Sequence, residues 1–210
     1  GPSGAPKIKN IAIKNVTEWG TRYSMLLAGD ADFAQVPRAN ISQVDPLAKE
    51  IIDQPTGNKT AGAANGFLRL FKNMPGLQMD AIFFNWNVNV TGGNNTLGTG
   101  KLDGNGIPPN FFSDVHIRKA FNYCFDWKTF IDQYWKGEAI QAKGPILQGY
   151  LGYDPKSPTY TYDIDKCKAE FDLAAKDPGF ENVVSKGFFV QYTYNTGNVA
   201  RQTAGQILRD

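Results

Sequence analysis

The 210-residue sequence predicts an α/β fold, and three observations carry that prediction. Segments that alternate apolar and polar residues, Lys7–Lys14, Ala81–Val88 and Phe188–Tyr194, read as strands. Segments whose apolar residues recur every three or four positions, within 21–28, 115–135, 163–174 and 199–210, read as helices. Gly, Pro, Asn and Asp clusters punctuate the joints between them. Apolar residues at 41% and charged residues at 20% are those of a soluble globular chain long enough to bury a core. With a net charge of +2 and Lys and Arg spread along the chain, no nucleic-acid partner is expected. No apolar run approaches the ~20 residues of a membrane helix.

Taken in order, Gly1-Pro2-Ser3-Gly4 is either native loop or a cloning remnant, and Lys7–Lys14 is a short strand. Thr21–Ala28 is a helix that Gly29 terminates. Asp30 and Asp32 follow; they are a paired acid or metal site, or a helix-ending turn whose carboxylates bond nearby amides. The turn is preferred because no further carboxylate or His accompanies them. Val44–Ile52 reads as a short helix begun at Asp45 with Pro46 at its first position. Gln54–Gly66 reads as loop, Gly66–Phe71 as a strand, Met74-Pro75-Gly76 as a turn and Gln78–Val90 as an extended apolar segment. Within it, alternation separates Phe83, Asn85 and Asn87 from Ile82, Phe84, Trp86 and Val88. Ile82, Phe84 and Val88 are expected in the core. Phe83, Asn85 and Trp86 are core residues or ligand contacts: aromatics supply contact area, and Asn supplies both donors and acceptors.

Thr91–Gly106 is rich in Gly and Asn. Gly100-Lys101 is followed by Leu102 with no helix beginning there, so it is no phosphate loop. Asp103-Gly104-Asn105-Gly106 lacks the remaining ligands of a calcium loop. A flexible hairpin tip is expected. Ile107–Trp135 then opens with Pro108-Pro109 and two aromatics, Phe111 and Phe112. Ser113 and Asp114 are candidate caps of a helix whose stripe is Ile117, Ala120, Phe121 and Cys124. Asp126 is the cap of a second helix with Trp127, Phe130, Ile131, Tyr134 and Trp135 on one face. Gly137–Pro158 is irregular, Asp163 caps a further helix with Ile164, Cys167, Phe171 and Ala174 inward, and Asn195-Thr196-Gly197 turns the chain into the last helix.

The run Pro109-x-Phe111-x-x-Asp114-Val115-x-Ile117-Arg118-Lys119-Ala120-Phe121-x-Tyr123-x-x-Asp126 resembles the signature of family 5 bacterial extracellular solute-binding proteins, the oligopeptide- and dipeptide-binding components of ABC importers. The family's first Arg is His116 here, and Cys124 lies near its second Ala. The resemblance also takes in Leu-x-Ala-Gly-Asp-x-Asp at 26–32 and Asn195-x-Gly197-x-x-x-Arg201. It implies a periplasmic-binding-protein-like fold (type II, peptide-binding class) of which this chain is an incomplete two-lobe fragment. Residues 1–80 would be the end of the first lobe, and residues 81–210 the beginning of the second, truncated at the C-terminus. It implies a cleft between lobes that captures di- or oligopeptides for import, with Phe83, Asn85 and Trp86 as ligand-binding residues. Partners would be a peptide or other small solute and the permease subunits. The protein would be exported to the periplasmic or extracellular face of the membrane, tethered only through an anchor, such as a lipoprotein's, absent from this chain. An Asp that pairs with the peptide's amino terminus in such binders comes after the region covered, so a sugar or nickel chelate stays open as ligand.

No cofactor, metal or catalytic residue is expected. His116 and Cys124, eight residues apart on one helix, are separated by ~12 Å and form no nucleophilic pair. Two Cys and one His do not close a tetrahedral metal site, and no G-x-S-x-G elbow is present. His116 is expected on the solvent side. Cys124 and Cys167 lie on helices that pack in related proteins; they are two buried thiols or, in an exported protein, a disulfide. Two rival classes are a secreted carbohydrate-binding module and a hydrolase using Asp30 and Asp32.

Overall fold

Glu18 starts the first helix of the computed structural model, which describes residues 7–74, 76 and 79–210. Gly1–Gly4, Pro75 and Gln78, on which the terminal remnant, the turn and the beginning of the extended segment rest, lie outside the described residues. The chain forms two units, Gly1–Lys72 and Asn73–Asp210.

In the first unit α1 (Trp19–Ala28) begins two residues before the expected helix because the Glu18 carboxylate accepts the Thr21 and Gly20 amides at 2.6 and 3.0 Å. Those two bonds hold its pKa below the usual carboxylate value. Gly29 closes the helix at φ 80°, and the Asp30 and Ala31 amides both donate to the Met25 carbonyl. Asp30 and Asp32 therefore sit in a helix-ending turn. Lys7–Lys14 forms no strand: it has no ladder partner among the described residues, and Ile8, Ile11 and Ile13 are exposed. Alternation makes a strand only where a neighbour accepts its backbone groups.

Helical turns at Arg38–Asn40, α2 (Ile41–Val44) and Asp45–Leu47 lead into β1 (Ala48–Asp53). The helix expected over Val44–Ile52 thus ends at Leu47. Beyond it the β-branched Ile51 and Ile52 join a ladder between β2 (Lys59–Ala61, antiparallel) and β3 (Leu68–Lys72, parallel), in the order β2-β1-β3. The expected loop Gln54–Gly66 consequently contains a strand. Its return packs so closely on Ala48 that a Cβ at Gly62 would lie 1.9 Å from the Ala48 carbonyl oxygen. Val44, Ala48 and Leu70 form the small core, covered by Trp19, Tyr23, Val36, Ile41 and Ile51.

The second unit is built around Phe111 and Phe112. Asp114 caps α3 (Val115–Cys124) by accepting the Ile117 amide at 2.9 Å. Asp126 caps α4 (Trp127–Thr129), which continues as a π-helical turn, Phe130–Tyr134. Asp163 caps α5 (Ile164–Ala174), and Asn198 caps α6 (Val199–Arg209). A disulfide joins Cys124 on α3 to Cys167 on α5, with Cα atoms 5.4 Å apart. The core gathers Ile107, Phe111, Phe112, Ile117, Ala174, Phe180 and Val183.

Thr91–Gly106 is not a free hairpin tip: Leu97 and Leu102 are buried in that core, and Gly98 and Gly106 form a bridge. The two Leu anchor what the Gly and Asn content alone would leave loose. Phe188–Tyr194 forms no ladder among the described residues either, although Phe188 and Val190 do face the core while Phe189 and Gln191 face out.

Candidate functional site

Residues 79–90 carry the sequence-predicted site, and their inner and outer side chains behave differently. Phe84 stacks on Phe112 with ring centroids 4.8 Å apart and meets Phe121 edge-on at 5.8 Å. Val88 packs on the same cluster, and its amide donates to the Pro109 carbonyl at 2.9 Å. These contacts pin the segment to the Pro-Pro turn and the foot of α3. Phe83 is 90% exposed and Trp86 58% exposed. Asn85 is exposed, and its Oδ1 accepts the Asn87 amide at 3.2 Å, so Asn85 supplies the local turn at 86–87. Ile82, expected in the core, is 38% exposed because the inward anchors begin only at Phe84.

Arg118 governs the surroundings of Trp86. Its guanidinium carbon lies 4.5 Å from the centroid of the indole. The same guanidinium donates from Nη1 to the carbonyls of Phe112, Ser113 and Asp114 at 2.6, 2.7 and 3.1 Å. Sequence reasoning treated Arg118 only as a signature residue; 32 positions separate it from Trp86, and no local pattern joins them.

A second polar group was also missed. Arg201, on the first turn of α6, donates from Nε and Nη2 to the Asp80 carboxylate at 3.2 and 2.7 Å, and from Nη1 to Asn195 Oδ1 at 3.0 Å. Tyr134 and Tyr192 lie near; burial raises both phenols above their ordinary pKa, with the Asp80 charge adding to the rise and, at Tyr192, the Arg201 charge opposing it. The Asn195-x-Gly197-x-x-x-Arg201 pattern holds two members of this group, whereas Asp80 had no local signal.

His116 is half-buried rather than on the solvent side: its Nδ1 lies 2.6 Å from Glu170 Oε2 on α5, with Lys119 Nζ 4.0 Å from the other oxygen. The first turn of α3 faces α5, so a side chain there is drawn into the interhelical contact. Among the described residues no group of three or more His, Cys, Asp or Glu could hold a metal ion, and no helix is long and apolar enough to cross a membrane. Two open concavities lie elsewhere. One, of about 600 Å³, covers the Glu50, Lys59 and Arg69 side of the sheet; the other, of about 580 Å³, runs beside Trp127, Asp132, Gln141 and Tyr162. Neither contains Phe83, Asn85 or Trp86.

A mixed α/β chain with a Pro-Pro lead into two capped helices, behind a segment presenting aromatics, is the local architecture expected of a solute-binding protein. The chain belongs to the bacterial extracellular solute-binding proteins, family 5 (Middle), matching over residues 2–210. It is 24% identical over 177 residues to a probable D,D-dipeptide-binding periplasmic protein of Escherichia coli, covering 84% of this chain and 27% of that protein. It is 32% identical over 97 residues to a dipeptide-binding protein of Escherichia coli, covering 46% of this chain and 18% of that one. It is 30% identical over 87 residues to heme-binding protein A of Haemophilus influenzae, covering 41% and 15%. The chain thus spans about a quarter or less of the length of these relatives. No solved structure matches it significantly.

Proposed function

We propose that this chain is part of an exported, non-enzymatic binding protein that captures di- or oligopeptides at the periplasmic or extracellular face of the membrane and delivers them to the permease subunits of an ABC importer. The observation that carries the reading is the family match along residues 2–210, joined to two names among its relatives that speak of dipeptides. Residues 1–80 belong to one lobe of a type II binding-protein fold and residues 81–210 to the other. Peptide backbones are bound by groups that both donate and accept, which keeps side-chain selection loose. Phe83, Asn85 and Trp86 contact the solute. Their exposure, on a segment held from behind by Phe84 and Val88, supports that assignment.

The test is a thermal-shift and calorimetric screen of the full-length protein against dipeptides, tripeptides, disaccharides and hemin. A shift with peptides alone is expected. A shift with disaccharides or hemin and not with peptides would move the ligand class, the second along the line of the heme-binding relative. Turnover that is lost on Asp30→Asn or Asp32→Asn would contradict the absence of catalysis.

A further inference from the structure

We infer that Arg118 is a positioning residue for Trp86, and that the indole it holds receives a flat, ring-bearing side chain of the bound solute. The inference rests on the peptide-binding reading above and adds to it a residue and a preferred chemistry.

Three features carry it. The Arg118 guanidinium is clamped through one nitrogen by three consecutive carbonyls, those of Phe112, Ser113 and Asp114. Those carbonyls belong to the best-packed part of the unit, since Phe111, Phe112 and Ile117 are buried and Asp114 caps α3. A long side chain that would otherwise sample many rotamers is thereby tied at its tip to rigid backbone. Second, among the described residues no carboxylate pairs with Arg118. Its charge is met by carbonyl dipoles and by the indole face 4.5 Å away, the arrangement in which a cation and a π-system attract most directly. Third, Trp86 remains 58% exposed with one face taken by the guanidinium. The remaining face is a flat and apolar surface on a segment pinned by Phe84 and Val88. Such a surface favours a partner that is itself flat, because stacking adds to the area buried. A branched aliphatic side chain fills the same volume without that term.

Arg118 is also suited to this task in a way Lys is not. The planar guanidinium can donate in its own plane to the carbonyls while lying against the ring, whereas an ammonium is a point charge that must choose.

The experiment uses the full-length protein labelled with 5-fluorotryptophan and read by fluorine NMR. This chain contributes Trp19, Trp86, Trp127 and Trp135, and the Trp86→Phe and Trp127→Phe variants identify the two resonances that are followed. Trp127, whose indole N–H donates to the Asn122 carbonyl, reports whether α3 and α4 stay folded. The variants are Arg118→Ala, Arg118→Lys and Arg118→Gln; the probes are Ala-Phe and Ala-Leu, which share a backbone and differ in the ring. Expected are a displaced Trp86 resonance in all three variants with Trp127 unmoved, no rescue by Lys, a stronger response to Ala-Phe than to Ala-Leu, and a loss of Ala-Phe affinity of about two- to fivefold in Arg118→Ala. If Arg118→Ala unfolds the chain, the Lys and Gln variants carry the same comparison. A Trp86 resonance unmoved by any Arg118 substitution would overturn the positioning role whatever the peptides do. Equal responses to the two dipeptides would overturn the ring preference. A Trp86 resonance that moves with Arg118 but answers neither dipeptide would overturn the peptide-binding reading of this surface, and the ring preference with it, while the Arg118–Trp86 contact stands.

Discussion

Phe83 and Phe111 are the same side chain 28 positions apart, 90% exposed in one case and 1% in the other. The stretch 79–90 and the stretch 107–135 are both dense in aromatics, and composition alone gives them the same role. What separates them is the backbone behind each ring. Asp114 caps α3, whose apolar stripe has α5 and the Phe180 turn to close on. Residues 79–90 have no ladder partner among the described residues, so only Phe84 and Val88, which pack on the core, are even partly buried, and the others stay in water. An exposed ring on an anchored segment is available to a solute; a buried ring at the foot of a capped helix is scaffold.

The largest expected effect comes from breaking the scaffold side. Phe111→Ala should cost about 3–5 kcal/mol, because Phe111 touches Phe112, Phe121, Phe180 and Phe188 and the cavity left behind cannot collapse. Urea denaturation reads this directly. Next is the α3–α5 disulfide, which closes a loop of sequence separation 43. Replacing Cys124 and Cys167 by Ser should lower stability by roughly 2–4 kcal/mol, and a reductant should do the same to the native chain and nothing to the variant. Asp114→Ala removes the cap of α3 and should cost about 1 kcal/mol.

A smaller effect is set by pH at Asp163. The Lys166 amide, and then the Lys166 side chain, hold that carboxyl below its ordinary value. A folded-state pKa below the unfolded one contributes stability above the unfolded value near ~4, and this is lost as pH falls through the folded value. The protection factors of the amides in the first turn of α5 should therefore fall only in acid, and Asp163→Asn should flatten that dependence. Smallest are the outward rings: Phe83→Ala should leave stability within about 0.5 kcal/mol, since a surface side chain has little packing to lose.

Much of this division was readable from the sequence where the signal was local. Asp114, Asp126 and Asp163 announce their helices because a cap acts over three residues. Gly29 and the stripe Ile117, Ala120, Phe121 and Cys124 are equally short-range. The misreadings were long-range. Lys49–Ile52 joins a sheet because Thr60 and Leu70 arrive beside it, and Lys7–Lys14 stays bare because none of the described residues does. Leu97 and Leu102 look like loop until the core that takes them is known. In the candidate site, Phe83 and Trp86 stood out as aromatics in alternation, but Arg118 on α3, which lies against Trp86, and the separate Asp80–Arg201 pair 121 positions apart leave no pattern within any window of sequence.

The central claim is that residues 83–86 present rings to a solute while 107–135 hold them in place. Isothermal titration of the full-length protein and its Trp86→Ala variant with Ala-Phe, alongside thermal unfolding of both, tests it most directly. The account expects Ala-Phe affinity to fall by about tenfold with the unfolding midpoint unchanged. An affinity equal to that of the native protein, or a midpoint that drops as far as it does for Phe111→Ala, would contradict it.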